Sequence, residues 1–156
     1  MEVTFRLAET MDLDEIAALF EHCVRTTLSQ FYTPAQVELW ALPASMPEFW
    51  IERMETSRFE LAVVNGSPAG FCVMQHPGYI EMLYTGAGFQ GKGIARELLA
   101  RAEHQARLDG CHWLAADASL SARPVFEKCG FIVLKEQVTD VGGRPFVNCK
   151  MLKDLL

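Results

Sequence analysis

A chain of 156 residues that is 50% hydrophobic and 22% charged has the composition of a globular domain and the length to bury its own core. Its formal charge of −6 argues against a general nucleic-acid binder, which would carry a basic face, and suits a cationic, amine-bearing substrate. Five scattered cysteines (Cys23, Cys72, Cys111, Cys129 and Cys149) form no Cys-x-x-Cys, which argues for reduced thiols and against a disulfide framework or a zinc site.

The start, MEVTFRLAE, is charged from its second residue and lacks the apolar core of a signal peptide; no run approaches the ~20 apolar residues of a membrane span. The expectation is one soluble, cytoplasmic domain over residues 1–156, without a metal or a membrane partner. Val3–Leu7 alternates as a first strand. Asp12, with Glu15 as capping-box partner, opens a helix whose apolar face is Leu13, Ile16, Ala17, Phe20, Cys23 and Val24. Thr33-Pro34 is a cap followed by proline at the first helical position, so a second helix runs through Trp40. A third follows Pro47, with Phe49, Trp50 and Met54 apolar.

The rhythm then changes. Phe59–Val64 and Ala69–Gln75 around Asn65-Gly66 read as a β-hairpin, and after the turn Pro77-Gly78 comes a further strand, Tyr79–Thr85. A long amphipathic helix carries Ile94, Leu98, Leu99, Ala102 and Ala106 and stops near Gly110. Cys111–Ala116 is a short strand and Ser121–Cys129 a short helix with Pro124 in its first turn. Phe131–Val141 and Arg144–Met151 close the chain as strands around Gly142-Gly143. The class is therefore α/β (α+β), with a mixed sheet and a glycine-rich loop in mid-chain.

That loop, Thr85–Leu99, reads TGAGFQGKGIARELL and fits three phosphate-binding patterns. Gly86, Gly88 and Gly91 spell the dinucleotide G-x-G-x-x-G. Gly86, Gly91 and Lys92 spell a P-loop without its final hydroxyl. Gln90, Gly93 and Ala95 spell Q-x-x-G-x-A, an acyl-CoA pyrophosphate loop. In all three, glycines let backbone N–H groups approach an anion at a helix N-terminus. A dinucleotide fold wants its loop after the first of several βαβ units, and although Asp117 ends the next strand where a ribose-binding acid would stand, the meander ahead of the loop is the wrong topology. A P-loop needs a magnesium-binding hydroxyl where Gly93 stands. The acyl-CoA pattern needs only a strand, a glycine turn and a long helix.

Tyr79–Leu99 resembles the GNAT superfamily of N-acetyltransferases, whose cofactor motif joins strand 4 to a helix through Q/R-x-x-G-x-G/A. A second block, Ser119–Phe131 (SLSARPVFEKCGF), is similar to the family's N-x-x-A-x-x-x-Y-E-K-x-G-F. Tyr32-Thr33-Pro34, Trp40 and the closing Asn148, Met151 and Lys153 resemble a YafP-like bacterial branch. The resemblance implies a GNAT fold, with a central mixed sheet splayed between strands 4 and 5 and flanked by helices. It also implies transfer of an acetyl group from acetyl-CoA to a primary amine, on a small molecule or a protein, through a ternary complex and without a metal. A module of the same fold that binds CoA but has lost catalysis is the alternative.

By the same resemblance, Gln90, Gly91, Lys92, Gly93, Ile94 and Ala95 hold the pyrophosphate, and Leu83, Tyr84 and Thr85 offer backbone groups to the pantetheine arm and the thioester carbonyl. Ser119, Ala122, Phe126 and Lys128 complete the cofactor-contacting positions. Gly86-Ala87 after Thr85 departs from the family's usual proline turn. Phe126 stands where many relatives carry a tyrosine as general acid, and it has no proton to give.

Glu81, on the strand leading to the splay, is the candidate catalytic base, because an ammonium must lose a proton before it can attack. Strand alternation from Thr85 aims it at the acetyl group. His76 and Asp117 are further candidates for that task. Tyr32 and Trp40 are candidates for the acceptor pocket, Trp50 for the core. The resemblance also implies that an apolar C-terminal hairpin can pair two chains, so a homodimer and a monomer both stay open.

Overall fold

In a computed structural model that describes residues 1–156, seven strands form one sheet and five α-helices cover its two faces. Strand β1 (Thr4–Leu7) is followed by α1 (Leu13–Thr27), α2 (Pro34–Ala41) and α3 (Pro47–Thr56). The meander β2 (Arg58–Val64), β3 (Ser67–Gln75) and β4 (Tyr79–Thr85) comes next. The glycine loop then leads into α4 (Ile94–Leu108), β5 (Trp113–Ser119), α5 (Arg123–Lys128) and the hairpin β6 (Ile132–Val141) and β7 (Arg144–Asp154). No helix is long and apolar enough to cross a membrane.

Local chemistry explains most boundaries. The Thr33 hydroxyl accepts from the Gln36 N–H and the Gln36 side chain accepts from the Thr33 N–H, a complete capping box with Pro34 first in α2. Asn65 and Gly66 both take positive φ, 52° and 80°, as a two-residue hairpin of the primed type requires. Two boundaries differ from the sequence reading. Asp12 does not cap α1 with Glu15: its carboxylate accepts from the Glu9 N–H and from both Nη atoms of Arg6, tying β1 to the helical layer. Cys111 does not begin β5, because its N–H caps α4 on the Ala106 carbonyl while the Gly110 N–H bonds Arg107, with Gly110 at φ 81°. The strand thus starts at Trp113 and reaches Ser119, and Asp117 lies within it.

The strand order is β1-β2-β3-β4-β5-β7-β6, antiparallel everywhere except β4–β5. Both faces are covered, so β2 reads as a nearly continuous apolar run and its alternate residues serve different cores. Phe59, Leu61 and Val63 join Phe20 and fully buried Trp50 under α1–α3, with Trp50 edge-on to Phe20 at 5.1 Å between ring centroids. Ala62 and Val64 join Leu98, Leu99 and Ala102 of α4 and Phe126 of α5. One charged side chain of β2 is buried: Glu60, held between Arg58 at 3.0 Å and Arg101 at 2.8 Å, which removes the cost of an unpaired interior charge.

Candidate active site

The two parallel strands pair at only two positions, Tyr79 with Ala115 and Ile80 with Ala116. Beyond them β4 continues to pair with β3 as far as Thr85, and β5 with β7 as far as Ser119, but no longer with each other. The sheet therefore opens as a fork, and the edges of Glu81–Thr85 and Asp117–Ser119 that face each other have no ladder partner. Buried peptide groups demand partners, so this edge is a ready set of donors and acceptors for a ligand lying between the strands.

The mouth of the fork meets the start of α4. Gly91 and Gly93 adopt φ of 75° and 82°, and no atom stands within 4 Å of where a side-chain Cβ would lie at either. What the loop needs from them is backbone freedom, not space. The first intrahelical bond runs from the Glu97 N–H to the Gly93 carbonyl, so the N–H groups of Ile94, Ala95 and Arg96 are free, and no side chain caps them. An open N-terminus on a 15-residue helix is an anion site.

Fork and helix terminus share one cavity of about 700 Å³. Its walls include Leu83, Tyr84, Thr85, Gln90, Gly91, Gly93, Ile94 and Ala95 on one side and Ser119, Ala122, Phe126 and Lys128 on the other. Arg96 adds a second cation near Lys128; it stands three residues after Gly93, so its place in the first helical turn was readable in the sequence. Lys92 is exposed in the loop and does not line the cavity. Ser119 accepts the Ala122 N–H at 3.2 Å and pairs with Ser121 at 3.0 Å, tightening the turn before α5. Phe126 is buried edge-on to Phe131, an apolar wall without a proton.

At the closed end of the fork the strand alternation is interrupted. Val73 pairs with Met82 and Met74 with Ile80, which leaves Glu81 as the extra residue of a β-bulge. Leu83 packs towards α4, Met82 and Tyr84 towards α1–α3. Glu81, instead of following Leu83 and Thr85, reaches Arg53 of α3: Arg53 Nε and Nη2 donate to its two oxygens at 3.0 and 2.8 Å. Arg53 is itself fixed over the Phe49 ring at 3.5 Å. Nothing in the local sequence marks Arg53, because the contact crosses from helix to sheet. Glu81 lines the cavity, and so does Asp117 across the fork; His76 does not.

The helical side of the cavity is formed by Cys23, Thr27, Leu28, Trp40 and Met82. The Trp40 indole donates to the Tyr84 hydroxyl at 3.0 Å, and burial pushes the Tyr84 phenol well above its ordinary pKa. The Cys23 thiol lies 3.4 Å from the Thr85 carbonyl, and burial pushes its pKa up to about 11. Tyr32 is not in the wall. Its hydroxyl donates to the Val147 carbonyl at 2.6 Å and accepts the Leu120 N–H at 3.2 Å, which makes it a strut behind Trp40, to which it packs at 5.5 Å. Trp50 lies wholly in the core. No group of three or more metal-ligating side chains is present.

A sheet forked beside an open helix N-terminus suits an extended ligand with an anionic end, the shape of an acyl-CoA donor. Residues 28–153 match the family model described as an acetyltransferase (GNAT) domain; the chain belongs to the GNAT acetyltransferase family. It is 32% identical over 143 residues to the uncharacterized N-acetyltransferase YafP of Escherichia coli (strain K12), covering 90% of this chain and 88% of that one. The crystal structure of a GCN5-related N-acetyltransferase from Rhodopseudomonas palustris superposes with a TM-score of 0.94 at 26% identity, over 99% of this chain and 97% of that one. The PaiA N-acetyltransferase of Thermoplasma acidophilum, solved in complex with coenzyme A, shares the fold at a TM-score of 0.83 and 19% identity, with 99% of each chain covered.

Proposed function

We propose that this protein is an N-acetyltransferase that moves an acetyl group from acetyl-CoA to a primary amine in one ternary complex. The observation that carries the reading is the continuity of one cavity from the uncapped N-terminus of α4 to the fork between β4 and β5. Gln90–Ala95 would hold the pyrophosphate through backbone N–H groups, with Arg96 and Lys128 adding positive charge beside it. The unpaired edge of Leu83–Thr85 would bind the pantetheine arm and polarise the thioester carbonyl. Ser119, Ala122 and Phe126 form the facing wall.

In this scheme the amine lone pair attacks the thioester carbon. The C–N bond forms and the C–S bond breaks. The electron pair leaves on sulfur, and the thiolate takes up the proton that the new amide nitrogen sheds. Phe126 gives no proton to the leaving group, and a thiol of pKa about 8.5 departs as thiolate without help. Glu81, its charge matched by Arg53, stays fixed as a hydrogen-bond acceptor for the amine, directly or through water.

Direct transfer is favoured over a covalent relay because burial pushes up the pKa of both thiols that line the cavity, Cys23 to about 11 and Cys129 in the same direction, which disfavours the thiolate a relay needs. Five free thiols fit work in a reducing compartment such as the cytoplasm. Assay of thiol release from acetyl-CoA across a panel of small amines and peptides tests the reading. The expected result is release that depends on the amine, with no acetyl adduct on the protein by intact mass when the amine is left out. An acetyl-cysteine adduct that chases into product would overturn the ternary complex. No release with any amine, despite acetyl-CoA binding, would favour the CoA-binding module.

A further inference from the structure

The fork brings two carboxylates to the same level, since Glu81 and Asp117 each follow the last paired couple, Ile80 with Ala116. Their surroundings differ. Glu81 is neutralised by the Arg53 fork. Asp117 receives hydrogen bonds from two neutral donors, the Tyr79 hydroxyl on one oxygen at 2.9 Å and the Gln137 amide on the other at 2.6 Å. These fix its direction while leaving its charge unmatched. Lys150, opposite it on β7, is exposed and makes no ion pair with it; Lys135 lies beyond Lys150 on β6. The other charged or titratable groups facing it are Tyr79 and Glu81 of β4. Asp117 is also the exposed member of the pair, with a path for a proton to water.

Resting on the acetyltransferase reading above, we propose that Asp117 binds the ammonium of the acceptor and takes its proton. The ammonium N–H bond gives its electron pair back to nitrogen and the proton passes to the Asp117 carboxylate, directly or over one water, and from there to solvent. The neutral amine then attacks. Gln137 links this carboxylate to Asn148 at 2.8 Å, and Asn148 to Thr139 at 2.8 Å, so the hairpin β6–β7 holds Asp117 in register with the fork. The acceptor this arrangement recognises is a primary ammonium on a body small enough to sit against Trp40, Leu28 and Met82.

The test measures kcat/KM for the best amine against pH in the wild type, D117N, D117E and E81Q, with acetyl-CoA affinity by calorimetry. D117N should lower kcat/KM at neutral pH by about a hundredfold or more, the usual scale of general-base loss. That deficit should shrink as the pH nears the amine's own pKa, where the neutral nucleophile arrives ready-made. D117E should recover part of the loss, and E81Q should show a deficit that does not change with pH. Acetyl-CoA affinity should be unaltered in all three. Activity of D117N equal to wild type, a deficit constant with pH, or lost acetyl-CoA binding would each overturn the inference. An inactive wild type would remove the transferase reading as well, whereas an active wild type with an indifferent D117N removes this inference alone.

Discussion

Single residues at the site act through what their backbone permits as much as through their side chains. Gly93 is the N-cap of α4 at φ 82°, with open space around it. Alanine there meets no clash, only the strain of a left-handed conformation, about 1–2 kcal/mol. Relief of that strain turns the N–H groups that face the anion. G93A is therefore expected to weaken acetyl-CoA binding by roughly tenfold, the equivalent of about 1.4 kcal/mol, while the thermal midpoint falls by only a few degrees. Unchanged affinity in calorimetry would mean that the loop does not hold the pyrophosphate. The loop's conformation was legible in the sequence because the glycine requirement is local: Gln90, Gly93 and Ala95 fall within one six-residue stretch. Arg53 was not legible, since its meaning arises only where α3 crosses the bulge at Glu81.

Between elements, hydrogen bonds across long sequence separations place the acceptor wall. Tyr32 is a candidate for the acceptor pocket by sequence, but its hydroxyl joins β7 at Val147 and the β5–α5 turn at Leu120. Gln36 adds a bond to the Pro145 carbonyl at 2.7 Å, so α2 is fastened to the closing hairpin at two points. Removing the hydroxyl takes away the partner that the half-buried Val147 carbonyl and Leu120 N–H share. Y32F is expected to cost about 1–3 kcal/mol in urea unfolding and to raise the KM for the amine, with acetyl-CoA affinity little changed. A variant with wild-type stability and amine KM would contradict the strut. The same scale explains what the sequence hid at Glu81. Alternation by twos is sound along an uninterrupted strand, and one extra residue at the bulge redirects the side chain. By contrast, the helix starts at Thr33-Pro34 and the hairpin at Asn65-Gly66 were legible, since each rests on neighbours in the chain.

For the whole molecule, the site is a consequence of topology. One parallel pair in an otherwise antiparallel sheet is held at just two positions, and the antiparallel partners on either side draw the strands apart. The two cores, one aromatic under α1–α3 and one aliphatic under α4 and α5, pack the sheet from both faces and keep the fork open. The order of elements along the chain made a mixed α/β sheet legible, while the fork within it followed from the family resemblance of two motif blocks, Tyr79–Leu99 and Ser119–Phe131. Which side chains would meet inside the fork was not legible, as that depends on twist and register. The most direct test of the cavity's ligand is calorimetric titration of the protein with acetyl-CoA, with NAD and ATP as controls. Acetyl-CoA alone is expected to bind, and to saturate. Binding of NAD or ATP in its place, or no binding of acetyl-CoA, would contradict an acyl-CoA site at the fork.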